Sequence, residues 1–149
     1  SAASDVYKRQ DLPPVAKPVA AYVPAIQVGD QISTSGQLPL VSGSLPMTGL
    51  VGDQISQGDA AGQARVAALN ALAAAADVAG GVNNIRRVVR VVVYVASTAD
   101  FTAQPAVANG ASELFGEIFG DAGRHIRSAI GVASLPLGAP VKVELTVQV

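Results

Sequence analysis

Apolar and polar residues alternate along several short stretches of this 149-residue chain, a pattern that predicts β-strands. Two short strands are expected on either side of a turn at Gly29-Asp30. Residues 85–95 are β-branched almost throughout, which predicts a strand covered on both faces. Two last strands are predicted over about residues 128–134 and 141–149.

Two other stretches have the spacing of helices. Residues 60–79 are rich in alanine, with larger apolar residues at helical intervals, and Gly80-Gly81 is a typical end signal. Residues 107–119 predict a second helix with one apolar side. The order ββαβαββ predicts an α+β fold with both helices on one face of a mixed sheet. The other face must then be hidden by association.

The remaining segments are predicted to be irregular. Residues 1–19 are expected to form a disordered or extended leader arm, because prolines there remove hydrogen-bond donors, and residues 20–149 form a single domain. Residues 42–59 are rich in Gly, Ser and Pro and predict a loop, at whose end Asp53 or Ser56 is placed to start the first helix. The hexapeptide VGDQIS occurs twice, but its flanks differ, which argues against an internal repeat.

Composition narrows the function classes. Half of the residues are hydrophobic and only 14% are charged, which favours a homo-oligomer. The net charge of -1 and the lack of a basic run longer than Lys8-Arg9 argue against nucleic-acid binding. No apolar run suits a membrane span or a signal peptide, so a cytoplasmic protein is expected. Without cysteine and with one histidine, no disulfide, thiolate chemistry or multi-histidine metal site is expected.

The stretch RHIRSAIGVASLP at 124–136 carries the first candidate site residue. Alternation places Arg127 on one strand face with Ala129, Gly131 and Ala133, so the guanidinium stands beside an open space. Its planar fork suits a carboxylate, which it can bind through two hydrogen bonds. From the residues alone, a structural salt bridge to an acidic side chain of the same or another chain is the commoner explanation.

A second candidate is Glu144, which alternation places on the polar face of the last strand. It is either a solvated charge or a carboxylate that orients a water molecule in a cleft. The lone His125 has the strand parity of Arg127 if the strand extends that far, and a structural role is the commoner one. Arg86, Arg87 and Arg90 are expected to be edge or interface charges.

Several ordered motifs resemble the Rid (RidA/YjgF-like) family of enamine/imine deaminases. RSAIGVASLP at 127–136 looks like the family signature, TSGQLP at 34–39 resembles its second-strand motif, and VKVEL its closing strand. The resemblance, over residues 22–149, implies a chorismate-mutase-like fold and a homotrimer with clefts between subunits. It also implies hydrolysis of small 2-imino acids and enamines, such as 2-aminoacrylate, to 2-keto acids and ammonia, with no cofactor and no metal.

The resemblance also implies roles for individual residues. Arg127 matches the arginine that binds the substrate carboxylate, and Glu144 the glutamate that positions the attacking water. Tyr22 matches a tyrosine that lines the cleft. Ser35 and Gly36 match the SG pair of the second-strand motif, and Asn109 matches an asparagine near the pocket. Ala129 stands at a further position of the family site.

Two departures mark the chain as a divergent, longer member of about 150 residues. Ala129 stands where deaminating members often have cysteine, and Ala20-Ala21 where they often have Gly-Pro. A non-catalytic trimer that binds a small carboxylate is therefore the alternative. Endoribonuclease activity, attributed to some relatives, is disfavoured by the balanced charge, the scarce aromatic residues and the single histidine.

Overall fold

The chain forms a five-stranded sheet with two helices on one side, and the structure, a computed structural model, describes residues 12–18 and 20–149. The elements are β1 (Ala25–Val28), β2 (Gln31–Thr34), α1 (Gln57–Ala79), β3 (Arg87–Ala96), α2 (Gln104–Phe119), β4 (Ile126–Val132) and β5 (Val141–Gln148). This order confirms the predicted α+β class, and each element lies within a few residues of its predicted range.

The sheet is mixed, as predicted, with the strand order β1-β2-β5-β3-β4. Strands β3 and β4 are parallel, whereas all other neighbours are antiparallel. Val91 pairs with Arg127 on β4 and with Leu145 on β5, and these residues point to the face that the helices cover. Val92 pairs with Ser128 and Glu144, which point to the opposite face. We call these the helix face and the open face.

Small side chains let α1 approach the sheet closely. Its buried residues are mostly alanines, and they pack against the buried valines and Leu145 of β5. The Oγ of Ser56 accepts a hydrogen bond from the backbone N–H of Asp59 and caps the helix, so Ser56, and not Asp53, starts it. The helix ends at Gly80, whose φ of 79° is left-handed, as the glycine pair predicted.

Gly110 sits where α2 packs on α1, and a Cβ atom there would overlap the backbone carbonyl of Ala61. We therefore expect Gly110→Ala to lower the free energy of unfolding by about 1–3 kcal/mol, despite the better helix propensity of alanine. Gly62→Ala on α1 is the matched control, because open space surrounds that glycine, and it should raise stability by about 0.5–1 kcal/mol. Urea unfolding of both variants measures the difference. Equal effects would contradict this packing.

The open face exposes a set of large apolar side chains. Ile26 is 58% exposed, Val28 73%, Ile126 61% and Ile130 41%. The helices cover only the other face. On the open face of β3, Val92 and Ala96 are buried, whereas Arg90 remains exposed. An apolar patch of this kind is typical of a protein that associates.

Some predictions were wrong or fall outside the described residues. Strand β3 lies between β5 and β4, so its arginines are not edge charges, and the alternative that they are interface charges stays a prediction. Arg87 donates instead to the backbone carbonyls of Val88 and Arg124. Leu12 and Val15 of the predicted leader pack against the core, whereas Lys8-Arg9 lies outside the described residues. No helix in the described part of the chain is long and apolar enough to cross a bilayer.

Candidate functional site

Arg127 lies near the start of β4, on the helix face, and reaches α2. Its Nη1 donates to Asn109 Oδ1 at 2.7 Å and to Ser112 Oγ at 3.2 Å. Asn109 and Ser112 are three residues apart on α2 and therefore share one face of the helix. Both groups are neutral, so they orient the guanidinium without compensating its charge.

No acidic side chain among the described residues pairs with Arg127. The ion pair found there joins Arg65 to Glu117, at 2.6 Å. The salt bridge that the residue type alone favoured is therefore absent within this part of the chain. Both hydrogens of Nη1 are committed, whereas Nε and Nη2 have no partner among the described residues. That edge of the guanidinium has the geometry for side-on binding of a carboxylate.

His125 extends the array on the side of Ser112. Its Nε2 lies 2.8 Å from Ser112 Oγ, and its Nδ1 lies 2.6 Å from the carbonyl oxygen of Gly123. The ring packs edge-on against Phe115, with centroids 6.0 Å apart and an interplanar angle of 86°. Gly123 must be glycine, because a Cβ atom would overlap the Phe115 backbone. The close approach of two backbones thus sets the position of the imidazole.

A concavity of about 550 Å³ opens beside this array. Its lining includes Ser112, His125, Arg127 and Arg124, and three glycines leave its wall without side chains. The predicted row of small residues lies further along β4, where Gly131 and Ala133 line a second concavity of about 570 Å³. Ala129, between the two, is partly buried and packs against the core.

Glu144 lies on the open face of β5, as alternation predicted. The hydroxyl of Tyr94, on β3, donates a hydrogen bond to its Oε1 at 3.1 Å. A cavity of about 230 Å³ beside the carboxylate is lined by polar side chains that include Ser33, Thr146 and Arg90. Glu144 therefore has one fixed hydroxyl partner and an open polar space, which suits a carboxylate that holds water.

Burial raises the pKa of the Tyr94 hydroxyl above its ordinary value of 10.0, and the negative charge of Glu144 raises it further. The folded state thus favours the neutral phenol. This contribution to stability is present below pH 10 and is lost as the pH rises through the higher folded-state pKa.

We therefore expect wild-type protein to lose more stability than Tyr94→Phe between about pH 9 and about pH 11. The reason is that Tyr94 ionises more readily in the unfolded chain than in the folded one, and the variant lacks this group. Thermal unfolding at each pH measures this difference. Tyr22→Phe, which leaves Tyr94 in place, should follow the wild-type profile. Parallel profiles for wild type and Tyr94→Phe would refute the assignment.

Of the predicted residues at the start of the domain, Gly36 lies on the side of Glu144. The backbone N–H and the Oγ of Ser35 both donate to the carbonyl oxygen of Pro24, two residues after Tyr22. A Cβ atom on Gly36 would overlap the side chain of Lys142, which shares the open face with Glu144. Tyr22 itself is 54% exposed.

Within one chain the predicted residues form two separate groups. Arg127, Asn109 and Ala129 lie towards the helix face at the β4 edge, whereas Glu144 and Gly36 lie on the open face. Strand β3 separates β4 from β5, so Arg127 and Glu144 do not meet inside one protomer. We call these the arginine group and the glutamate group.

Sequence reasoning missed Ser112 and Tyr94 and left His125 without a role. The spacing of Asn109 and Ser112 on a predicted helix was the available signal for Ser112. Nothing in the local sequence indicated that Tyr94 and Glu144, 50 residues apart, are bonded. Among the described residues, no group of three His, Cys, Asp or Glu side chains is placed to hold a metal ion.

Comparison with known proteins places the chain in a family. The family described as "YjgF/chorismate_mutase-like, putative endoribonuclease" matches residues 4–149. Protein TCP17 of Trypanosoma cruzi is 40% identical over 138 residues, which are 92% of this chain and 86% of TCP17. This similarity fits a divergent subgroup of the family.

Solved structures share the fold. A "putative endoribonuclease" from Shewanella oneidensis is 31% identical and superposes with a TM-score of 0.92, over 99% of this chain and 98% of that one. TdcF of E. coli, solved with bound serine, is 23% identical with a TM-score of 0.65, over 93% of this chain and 94% of TdcF. With its two helices on a mixed five-stranded sheet, the chain belongs to the YjgF/chorismate mutase-like family.

Proposed function

We propose that this protein hydrolyses small 2-imino acids and enamines, of the 2-aminoacrylate type, to 2-keto acids and ammonia. The observation that carries the proposal is an arginine, Arg127, held by a neutral amide and a neutral hydroxyl, with no acidic partner among the described residues and one edge free. Such a group has the charge and the geometry to anchor the carboxylate of a small substrate.

The two separated groups support a site formed between protomers. The arginine group of one protomer faces the glutamate group of its neighbour, in a homotrimer that buries the exposed apolar residues of the open face. Arg127 then holds the carboxylate, and Glu144 of the neighbouring protomer orients the attacking water. The imine carbon is already electrophilic, so no nucleophilic side chain, metal or cofactor enters this scheme.

The activity is tested by generating 2-aminoacrylate from serine with a dehydratase and following the release of pyruvate. The expected result is acceleration over the spontaneous rate that is lost in Arg127→Ala. A rate equal to the spontaneous one would refute the proposal. RNA cleavage that survives rigorous purification would favour the endoribonuclease activity in the family description instead.

One observation favours the alternative of carboxylate binding without turnover. Arg127 and Glu144 lie on opposite sides of the sheet, so a chain that does not assemble keeps only the anchor. TdcF, whose fold is the same, was solved with serine, a small molecule that bears a carboxylate. Titration calorimetry with 2-keto acids separates the two functions, because saturable binding without pyruvate release supports binding alone.

A further inference from the structure

We propose that Ser112 and His125 form a proton relay beside Arg127, which delivers a proton to the substrate nitrogen as it leaves as ammonia. This inference rests on the proposed function and deepens it. Imine hydrolysis needs three things: a fixed carboxylate, an oriented water and a proton for the departing nitrogen. Arg127 and Glu144 supply the first two, whereas neither supplies the third.

The hydrogen bonds of His125 fix which nitrogen carries the proton. The carbonyl oxygen of Gly123 can only accept, so Nδ1, 2.6 Å away, must be the donor. In the neutral ring Nε2 then has a lone pair, and the Ser112 hydroxyl, 2.8 Å away, donates to it. This is the arrangement of a base oriented by one partner and bonded to a hydroxyl by its other nitrogen.

The bonds of Ser112 leave room for a third partner. Its oxygen accepts from Arg127 Nη1 at 3.2 Å, which uses one of its two lone pairs. When His125 carries a second proton, Nε2–H donates to the other lone pair, and the hydroxyl hydrogen is released to point elsewhere. The concavity that Ser112, His125 and Arg127 line gives that hydrogen an open space.

Substrate geometry brings the nitrogen to this hydroxyl. In a 2-imino acid the carboxylate is bonded directly to the C=N carbon, so two bonds separate the carboxylate carbon from the nitrogen. We infer that a carboxylate on the free Nε and Nη2 edge of Arg127 leaves the nitrogen, two bonds away, in the concavity that Ser112 also lines. Glu144 of the neighbouring protomer approaches from the other side, so water enters on one face and the proton on the other.

The proton balance closes without a further reactant. The substrate reacts as the protonated imine: water adds to C2, one of its protons passes to Glu144 and from there to solvent, and the π electron pair of the C=N bond moves to the nitrogen, which becomes a neutral amine. The C–N bond then breaks with its electron pair on nitrogen, which takes the Ser112 hydroxyl proton, while Nε2–H of His125 replaces it on Oγ. The C2 hydroxyl passes its proton to the ionised Glu144 to give the keto group, Glu144 releases this proton to solvent, and His125 takes one up from solvent.

Steady-state kinetics of Ser112→Ala and His125→Gln tests the relay. We expect kcat to fall by about 10²-fold in both, with KM within about twofold of wild type, because the anchor at Arg127 and Asn109 remains. Ser112→Thr, which keeps the hydroxyl, should recover most of the rate. Ser44→Ala, an exposed serine in the loop before α1, is the control and should behave as wild type.

The outcomes separate the relay from the proposed function. If the wild type is active and Ser112→Ala keeps full kcat or changes only KM, the relay is refuted and the proposed function stands. If the wild type shows no acceleration, both the relay and the proposed function are refuted. Because the chain has one histidine, ¹⁵N NMR observes this imidazole unambiguously. A neutral ring with the proton on Nε2 instead of Nδ1 would also overturn the relay.

Discussion

Replacing Arg127 by alanine is expected to lower kcat/KM for 2-aminoacrylate hydrolysis by about 10²- to 10³-fold, because a paired charge of this kind is worth about 2–5 kcal/mol. The loss should appear mainly as a higher KM, since the carboxylate is bound in both the ground state and the transition state. Arg127→Lys should recover only part of it, because an ammonium keeps the charge but lacks the planar fork.

The control for this change is Arg86→Ala. Arg86 precedes β3, and its side chain makes no hydrogen bond or ion pair with the described residues. The Arg86→Ala substitution therefore removes one positive charge at a position away from the arginine group and the glutamate group, and it should leave kcat/KM unchanged. Thermal unfolding of each variant checks that the fold persists. An Arg127→Ala protein with wild-type KM and kcat would refute the anchoring role.

The second large effect is expected for Glu144→Gln. We expect kcat to fall by about 10²- to 10⁴-fold with little change in KM, because the amide cannot take a proton from the attacking water. The substitution keeps the size of the side chain and an oxygen that can accept the hydrogen bond from Tyr94. The structural consequences should therefore be small.

Glu113→Gln is the matched control for this prediction. Glu113 is an exposed carboxylate on α2, and its loss should not alter the rate. Pyruvate release under saturating conditions measures kcat for both variants. Equal rates for Glu144→Gln and wild type would remove Glu144 from the proposed mechanism and favour the binding function.

Local patterns were sufficient to predict most of the fold. Alternation in β5 identified which residues face the helices, and the glycine pair after α1 identified where that helix ends. These features depend on neighbours within a few residues, which the sequence displays directly. The cap of α1 was left open between Asp53 and Ser56, because the choice depends on the turn geometry before the helix.

The arrangement of the site was less predictable. Alternation predicts which residues of one strand lie on the same face. Which residues of two different strands share a face depends on the register between the strands. Only the pairings of Val91 with Arg127 and of Val92 with Glu144 reveal that the two candidates face opposite sides of the sheet. The bonds of His125 and of Tyr94 likewise join elements that the sequence alone does not bring together.

This separation leads to the central claim that one cleft takes its arginine and its glutamate from different protomers. Coexpression of Arg127→Ala and Glu144→Gln chains with different affinity tags would give mixed oligomers that carry both. A cleft that takes Arg127 from one chain and Glu144 from the next is intact whenever each chain contributes its unaltered residue. Random assembly from equal amounts makes about a quarter of the clefts intact.

The direct test is therefore the rate of pyruvate release by these mixed oligomers, compared with oligomers of either single variant. A shared cleft predicts recovery of up to about a quarter of the wild-type rate. If both residues of a cleft came from the same chain, every cleft would lack one of them. A rate no higher than that of the single variants, in oligomers shown to contain both chains, would contradict the account.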